Sequence, residues 1–330
     1  MAQKQQTAEP SQAGLAAEIL AMEFPNREFS VPIFVGSGAV SSVYRADAGG
    51  AAFAVKLHTA DRDSVSEYER EEYERERACV ERAAAVGVPC PRVFATGWHG
   101  NTAYSIQTFI AGVSGLEAPR DPLVIWKELG RLAHLINSIT VEDADVKWRN
   151  YVASVLAGMT EDDVKITLGL YAAPQQADLR RVFQKLVAMP LRYGLSHCDM
   201  HPRNIIVTPE GQVFLLDWGA ASRDINIVPH VSMTSLLWEL DAKGRPFHAF
   251  VAGYGLSGPE FNAFVAGYGL SEPEFNALLP EVLSLDLISC FWFFENPPRS
   301  EFGRELVAHA KGLVAEHLPM LTEWASRPAA

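Results

Sequence analysis

The sequence predicts an α+β chain whose strands are gathered at the front. Residues 29–58, FSVPIFVGSGAVSSVYRADAGGAAFAVKLH, alternate apolar and polar side chains around glycine-rich turns. That is the pattern of antiparallel strands joined by short loops. After Gly112 the spacing of apolar residues becomes helical, and strand signals return only briefly around 204–217. A strand-rich first third and a helical remainder follow, with the change of character at 108–113.

The elements can be taken in order. Residues 1–27 are polar and Ala-rich and read as a mobile tail with some helix. The charged run DRDSVSEYEREEYERERACVERAAAVG, 61–87, places Glu and Arg at i,i+4 spacing and closes on Gly87, so it predicts a helix. Pro89 and Pro91 prevent its continuation. VFATGWHGNTAYSIQTFI, 93–110, reads as two further strands, and PLVIWKELGRLAHLINSI, 122–139, as a helix. The resulting division is a tail at 1–27, a strand-rich lobe at 28–110 and a helical lobe at 111–330.

Bulk properties exclude several classes of protein. Apolar residues make up 48% of the 330, enough for a proper core, and the net charge of −12 argues against binding through nucleic-acid phosphates. The same charge suits a cationic small ligand, although many cytosolic proteins are acidic. Cys79, Cys90, Cys198 and Cys290 form no C-x-x-C pair, so neither a metal knuckle nor a disulfide framework is implied. The N-terminus lacks the charged start and apolar run of a signal peptide. The longest apolar stretch is interrupted by Glu281 and Asp286, so no membrane span is expected. A cytoplasmic protein, monomeric or weakly dimeric, is the expectation.

The densest chemistry lies in LSHCDMHPRNIIVTPEGQVFLLDWGAA, 195–221. His197, Asp199 and Asn204 are set at fixed offsets, and Asp217 follows a turn built on TPEG. Phosphoryl transfer needs a carboxylate to accept the proton of an attacking hydroxyl, and oxygen ligands for a Mg²⁺ ion that neutralises phosphate charge. Asp199 suits the first task, and Asn204 and Asp217 suit the second. The apolar runs NIIV and QVFLLDW would form a hairpin that holds both metal ligands side by side.

A second motif, Gly36-Ser37-Gly38, lets backbone N–H groups approach a polyphosphate, although G-x-G is as often a plain hairpin turn. Its context comes from Lys56, placed mid-strand among Ala54, Val55 and Leu57. A Lys in an apolar strand needs a partner or a ligand, unless it points to water from an edge. Glu69, Glu72 and Glu76 lie on roughly one face of the charged helix, and Glu76 is preferred as partner because it opens the helix's more apolar part.

The set G-S-G, A-V-K, helix Glu, H-C-D-M-H-P-R-N and L-D-W-G resembles the protein-kinase-like fold, and within it the aminoglycoside phosphotransferase and choline kinase branch. The resemblance covers residues 30–230 well and the C-terminal hundred loosely. It implies a two-lobed α+β fold, with a strand-rich N-lobe, a mostly helical C-lobe and ATP (or GTP) with Mg²⁺ in the cleft. It implies that Lys56 holds the α/β-phosphates and pairs with Glu76. Thr108, Phe109 and Ile110 become the hinge beside the base, with His201 and Ile206 also at the nucleotide. Asp199 becomes the base, Asn204 and Asp217 the metal ligands, and His197 a structural hydrogen-bonder. No A-P-E signature follows Asp217, and the stretch to the next helix is short for an activation segment. A small hydroxylated acceptor is therefore favoured over a protein. An aminoglycoside-type antibiotic leads, followed by choline, homoserine or a sugar. A nucleotide-binding pseudokinase and a protein kinase are the readings from other classes.

By the same resemblance the acceptor site lies in the helical part, where Asp286, Trp292 and Glu295 could meet a cationic amine. Trp292 would equally serve as core. Finally, FVAGYGLSGPEFNA (250–263) recurs as FVAGYGLSEPEFNA (264–277), differing at one position. It reads as a recent tandem duplication, either neutral or altering a substrate lid.

Overall fold

The computed structural model describes residues 10–37, 41–58, 67–140, 173–188, 194–197, 200, 202–221, 259–271 and 318–327, with a few helical positions between 273 and 284. Contacts group the chain into two compact units, Met1–Pro119 with Pro202–Ala221, and Arg120–His201 with Ser222–Ala330.

The first unit is built on a five-stranded antiparallel sheet. Its strands are β1 (Ile33–Ser37), β2 (Ser41–Ala48), β3 (Ala51–His58), β4 (Val93–His99) and β5 (Thr102–Thr108), in the order β1-β2-β3-β5-β4. Alternation in β2 sets its two faces: Tyr44, Ala46 and Ala48 are buried, while Val43, Arg45 and Asp47 look the other way. The β2–β3 turn is Gly49-Gly50, both at positive φ (58° and 79°), as a two-residue hairpin matching strand twist requires. β3 is buried on both faces from Phe53 to His58, which marks it as the central strand.

One face of this sheet is sealed by α1 (Pro10–Glu23). Ala16, Ile19 and Leu20, spaced three and one apart on one helical face, are fully buried against Tyr44, Phe53, Val55, Leu57, Tyr104 and Ile106. The Tyr44 hydroxyl donates to Gln12 Oε1 at 3.2 Å, and the Tyr104 hydroxyl donates to Glu23. Phe24, Phe29, Phe53 and Phe94 close the end of this core with tilted and edge-on ring contacts. The expectation of a tail over 1–27 is therefore corrected for residues 10–23. Eight of these fourteen residues are apolar and they are spread around the helix, so no one-sided stripe announces a core helix, yet Ala16, Ile19 and Leu20 close a sheet face that would otherwise meet water.

Helix α2 (Glu67–Ala85) follows β3 and turns Glu76, Cys79, Val80 and Ala83 inward. A second, small sheet pairs β6 (Val113–Ser114), β7 (Ile205–Val207) and β8 (Val213–Leu215), all antiparallel. β7 and β8 form the hairpin expected from NIIV and QVFLLDW, with Ile205 opposite Leu215. The hairpin is tied to its own unit by Gly115 N–H to Ile205 O (2.8 Å) and Leu215 N–H to Pro89 O (2.9 Å).

In the second unit, α3 (Pro122–Asn137) starts at Asp121, whose carboxylate accepts the Leu123 N–H at 2.9 Å. It buries Ile125, Trp126, Leu129, Leu132, Ala133 and Ile136. Helix α4 (Ala173–Ala188) buries Leu179, Val182, Phe183 and Leu186. Its Lys185 Nζ donates to the carbonyls of Trp324 (2.6 Å) and Arg327 (2.8 Å) at the end of the helical residues 318–326. Helix α5 (Pro259–Tyr268) packs along α3. No described helix is long and apolar enough to cross a membrane.

Candidate active site

The site assembles within the first unit, from three stretches far apart in sequence. β3 carries Lys56, whose neighbours across the sheet are Val43 on β2 and Ser105 on β5. Lys56 is 6% exposed, so its ammonium must be compensated by the protein. Its Nζ forms an ion pair with Asp217 Oδ1.

Asp217 sits where β8 ends and a 3₁₀ turn, Trp218–Ala220, begins. Among the described non-glycine residues only Asp217 has a positive φ, 57° with ψ 66°. Asp tolerates this left-handed region better than most residues, and such a conformation persists only where its surroundings hold it. The hold comes from Trp218. Its ring is buried and its indole N–H donates to the Leu215 carbonyl at 3.2 Å. The Asp217 side chain keeps 48% of its surface open. Gly219 leaves space beside it: a methyl group there would lie 3.8 Å from Asp217 Oδ1 and 3.9 Å from Lys56 Nζ.

The third contributor is Glu76, 2% exposed on α2, which packs against the 218–220 turn. Burial raises the pKa of its carboxyl, the Lys56 ammonium draws it down, and Asp217 pushes it up again. The Ser105 hydroxyl lies towards this carboxyl and favours its charged form, outside strict hydrogen-bond geometry. His58, two residues beyond Lys56, is also buried. Desolvation and the neighbouring ammonium push its pKa down to about 3, so the imidazole is neutral at physiological pH. The cluster thus holds one cation between two carboxyl groups, with a neutral imidazole alongside.

Asn204 closes the 3₁₀ turn Pro202–Asn204 and enters β7. Its carbonyl accepts the Leu216 N–H at 2.7 Å, which sets it one residue from Asp217 across the hairpin. A carboxylate with an open oxygen and a carboxamide on adjoining strands are hard oxygen donors of the type that suits Mg²⁺ with phosphates and water.

The other expected residues fall as follows. Gly36 and Ser37 end β1, after a bulge between Phe34 and Gly36. Thr108 and Phe109 spend their N–H groups on Arg92 O (2.9 Å) and Ala52 O (3.0 Å). The Arg45 guanidinium lies 4.9 Å above the Phe109 ring. Ile206, mid β7, packs on Gly112, where a methyl group would meet its Cγ2 at 2.6 Å. His197 is buried in the second unit. Gly38, Asp199, His201, Asp286, Trp292 and Glu295 lie outside the described residues. Sequence reasoning missed His58 and Ser105. The i+2 spacing from Lys56 points to His58, whereas Ser105 emerges only from strand register.

Comparison with known proteins follows from this geometry. A family model described as "Phosphotransferase enzyme family" matches residues 33–265. Among solved structures, aminoglycoside phosphotransferase APH(4)-Ia aligns at 13% identity and TM-score 0.56, covering 96% of this chain and 100% of that one. A choline/ethanolamine kinase family protein from Mesorhizobium loti aligns at 16% identity and TM-score 0.56, covering 94% and 99%. Spectinomycin phosphotransferase APH(9)-Ia, in complex with ADP and spectinomycin, aligns at 16% identity and TM-score 0.50, covering 96% and 99%. At these identities the likeness is one of fold, and it bears out the expected α+β protein-kinase-like class. No curated protein matches the sequence at a significant level.

Proposed function

We propose, from the premise that this chain belongs to the phosphotransferase enzyme family, that it moves the γ-phosphoryl group of ATP, or of GTP, to a hydroxyl of a small molecule. The observation that carries this reading is the Lys56–Asp217 ion pair with Glu76 buried behind it. A buried cation held by carboxylates at the edge of a solvent-open acidic group is poorly suited to mere stability, because burial costs what pairing returns. It is well suited to receive a polyphosphate, whose oxygens take over the cation.

In this reading Lys56 binds the α/β-phosphates and Glu76 keeps the ammonium aimed. Asn204 and Asp217 would hold Mg²⁺, which supplies charge neutralisation on the phosphates. The turn at Gly36-Ser37-Gly38 covers the phosphates with backbone N–H groups, and the carbonyls of Thr108 and Phe109 with Ile110 meet the base. His201 and Ile206 border the nucleotide. Asp199 accepts the acceptor's proton, a contribution of about 10²–10⁴ in rate.

An aminoglycoside-type antibiotic is the leading acceptor. Supporting it are the likeness to APH(4)-Ia and to the spectinomycin enzyme, together with the −12 net charge, which favours a cationic ligand. Asp286, Trp292 and Glu295 are the proposed contacts. The choline/ethanolamine kinase family neighbour favours a second reading, a metabolic alcohol such as choline, homoserine or a sugar. We place the enzyme in the cytoplasm, as a monomer or weak dimer. The test is acceptor-dependent ADP release, with ATP and Mg²⁺, across aminoglycosides, choline and amino-acid or sugar alcohols. A hit that vanishes in Asp199→Asn while nucleotide still binds supports the reading. A hit that survives in that variant removes Asp199 from its role.

A further inference from the structure

The duplicated segment gives α5 an unusual origin. The helix takes Pro259–Ala263 from the end of the first copy and Phe264–Tyr268 from the start of the second. The second-copy half makes a close backbone contact with α3. A methyl group on Gly267 would stand 1.9 Å from the Lys127 carbonyl oxygen, and one on Gly130 would stand 2.0 Å from the Phe264 carbonyl oxygen. The two backbones therefore touch at reciprocal glycines. Phe264, Val265 and Tyr268 are buried around that contact. The Tyr268 ring stands edge-on to His134 at 5.1 Å, and its hydroxyl accepts from Asn137 Nδ2 at 3.3 Å.

The helix ends in the same block. Gly269 has φ +87°, its N–H donates to Ala266 O, and the Leu270 N–H donates to Val265 O, both at 3.2 Å. This is the paired bond pattern of a Schellman stop. Beyond it, the N–H and the hydroxyl of Ser271 both donate to Glu274 Oε2 (2.8 and 2.6 Å), the carboxylate-to-N–H half of a capping box.

Every residue that makes the seat and the stop recurs 14 positions earlier: Phe250, Val251, Gly253, Tyr254, Gly255 and Leu256. The preceding residues are related too, with Phe247 and Ala249 in the places of Phe261 and Ala263. The copies differ only at Gly258 against Glu272, outside the seat. The side chains of the seat are identical in the two copies, while the helical turn ahead of it would read Arg245-Pro246-Phe247-His248-Ala249 in place of Pro259-Glu260-Phe261-Asn262-Ala263.

We propose that the first copy can take the α3 seat that the second copy fills here, so that the chain exchanges between two registers 14 residues apart. The exchange moves a 14-residue excess from the N-terminal side of the seat to its C-terminal side, towards the stretch containing 286–295. α3 is common to both registers and occurs once.

Thermal melting of full-chain variants tests this. Gly267→Val blocks the second copy alone. Removing one of two equivalent registers costs a factor of about two in the weight of the folded state, a shift of about 0.5–1 °C. The same substitution in a chain lacking 250–263 has no second register and lowers Tm by about 4 °C or more. Gly253→Val with Gly267→Val in the full chain matches that larger drop. The proposal is overturned if Gly267→Val alone shifts the full chain as far as the double variant does. It is equally overturned if the single-copy chain tolerates the substitution. Should that last variant fail to fold, Gly267→Ala runs the same cycle with smaller steps.

Discussion

The Lys56 cluster and the α3–α5 crossing are opposite solutions to a tight place. In the first, a buried lysine, a buried glutamate and a neutral imidazole crowd beside the half-open Asp217 carboxylate, and the buried lysine is tolerable because of the carboxyl groups around it. In the second, there are no charges at the contact, and two backbones meet because Gly130 and Gly267 carry no side chain. The cluster is sensitive to removal, since a buried carboxyl that loses its ammonium must take up a proton. The crossing is fragile to addition, since one methyl group has nowhere to go.

The largest effect is expected at the cluster. Lys56→Met should lower phosphoryl transfer by about 10³-fold or more, as loss of a preorganised cation at phosphate does. The fold should survive, because Glu76, already pushed up by burial and released from the ammonium, takes a proton. Steady-state ADP release together with circular dichroism checks both halves.

Next comes the cluster's acid sensitivity. His58 has a folded pKa of about 3 against an ordinary 6.5. The unfolded chain therefore binds more protons between these values. Its contribution to stability is fully present above pH 6.5 and is lost as pH falls towards 3, by at most about 5 kcal/mol. Denaturant titrations of nucleotide-free protein from pH 7 to pH 4 should show this limb, and His58→Gln should flatten it.

At the crossing, Gly130→Val should cost about 3 kcal/mol in urea unfolding. α3 offers no duplicate, so this wall cannot be evaded by a change of register. Ile19→Ala on α1 should cost about 2–4 kcal/mol, whereas the same change in a mobile tail would stay within about 0.5 kcal/mol. Smallest of all, Asp121→Ala should cost about 1 kcal/mol through loss of the α3 cap.

What was legible in the sequence follows the same division. Lys56 announced itself as a charge in an apolar strand, and Asp217 as a carboxylate ending one. Glu76 could be chosen among three glutamates because it opens the helix's more apolar part, where the structure buries Cys79, Val80 and Ala83. Each signal is local, and the β7–β8 hairpin was local too. Ser105 was invisible because it meets the cluster through the β3–β5 register, which no short pattern specifies. The role of α1 was hidden for a related reason. Its apolar residues lie all round the helix, so Ala16, Ile19 and Leu20 do not stand out as a core face until the sheet that they cover is known. Gly130 and Gly267 were equally silent, since a glycine inside a helix gives no sign of what backbone it admits.

The most direct test of the account is Mg²⁺-dependent ATP binding measured by calorimetry on the wild-type chain, Lys56→Met and Asp217→Asn. We predict tight binding in the wild type only with Mg²⁺. Lys56→Met should weaken it at every Mg²⁺ concentration, and Asp217→Asn should abolish its Mg²⁺ dependence. Binding that is unchanged in both variants would contradict the assignment of this cluster as the nucleotide site.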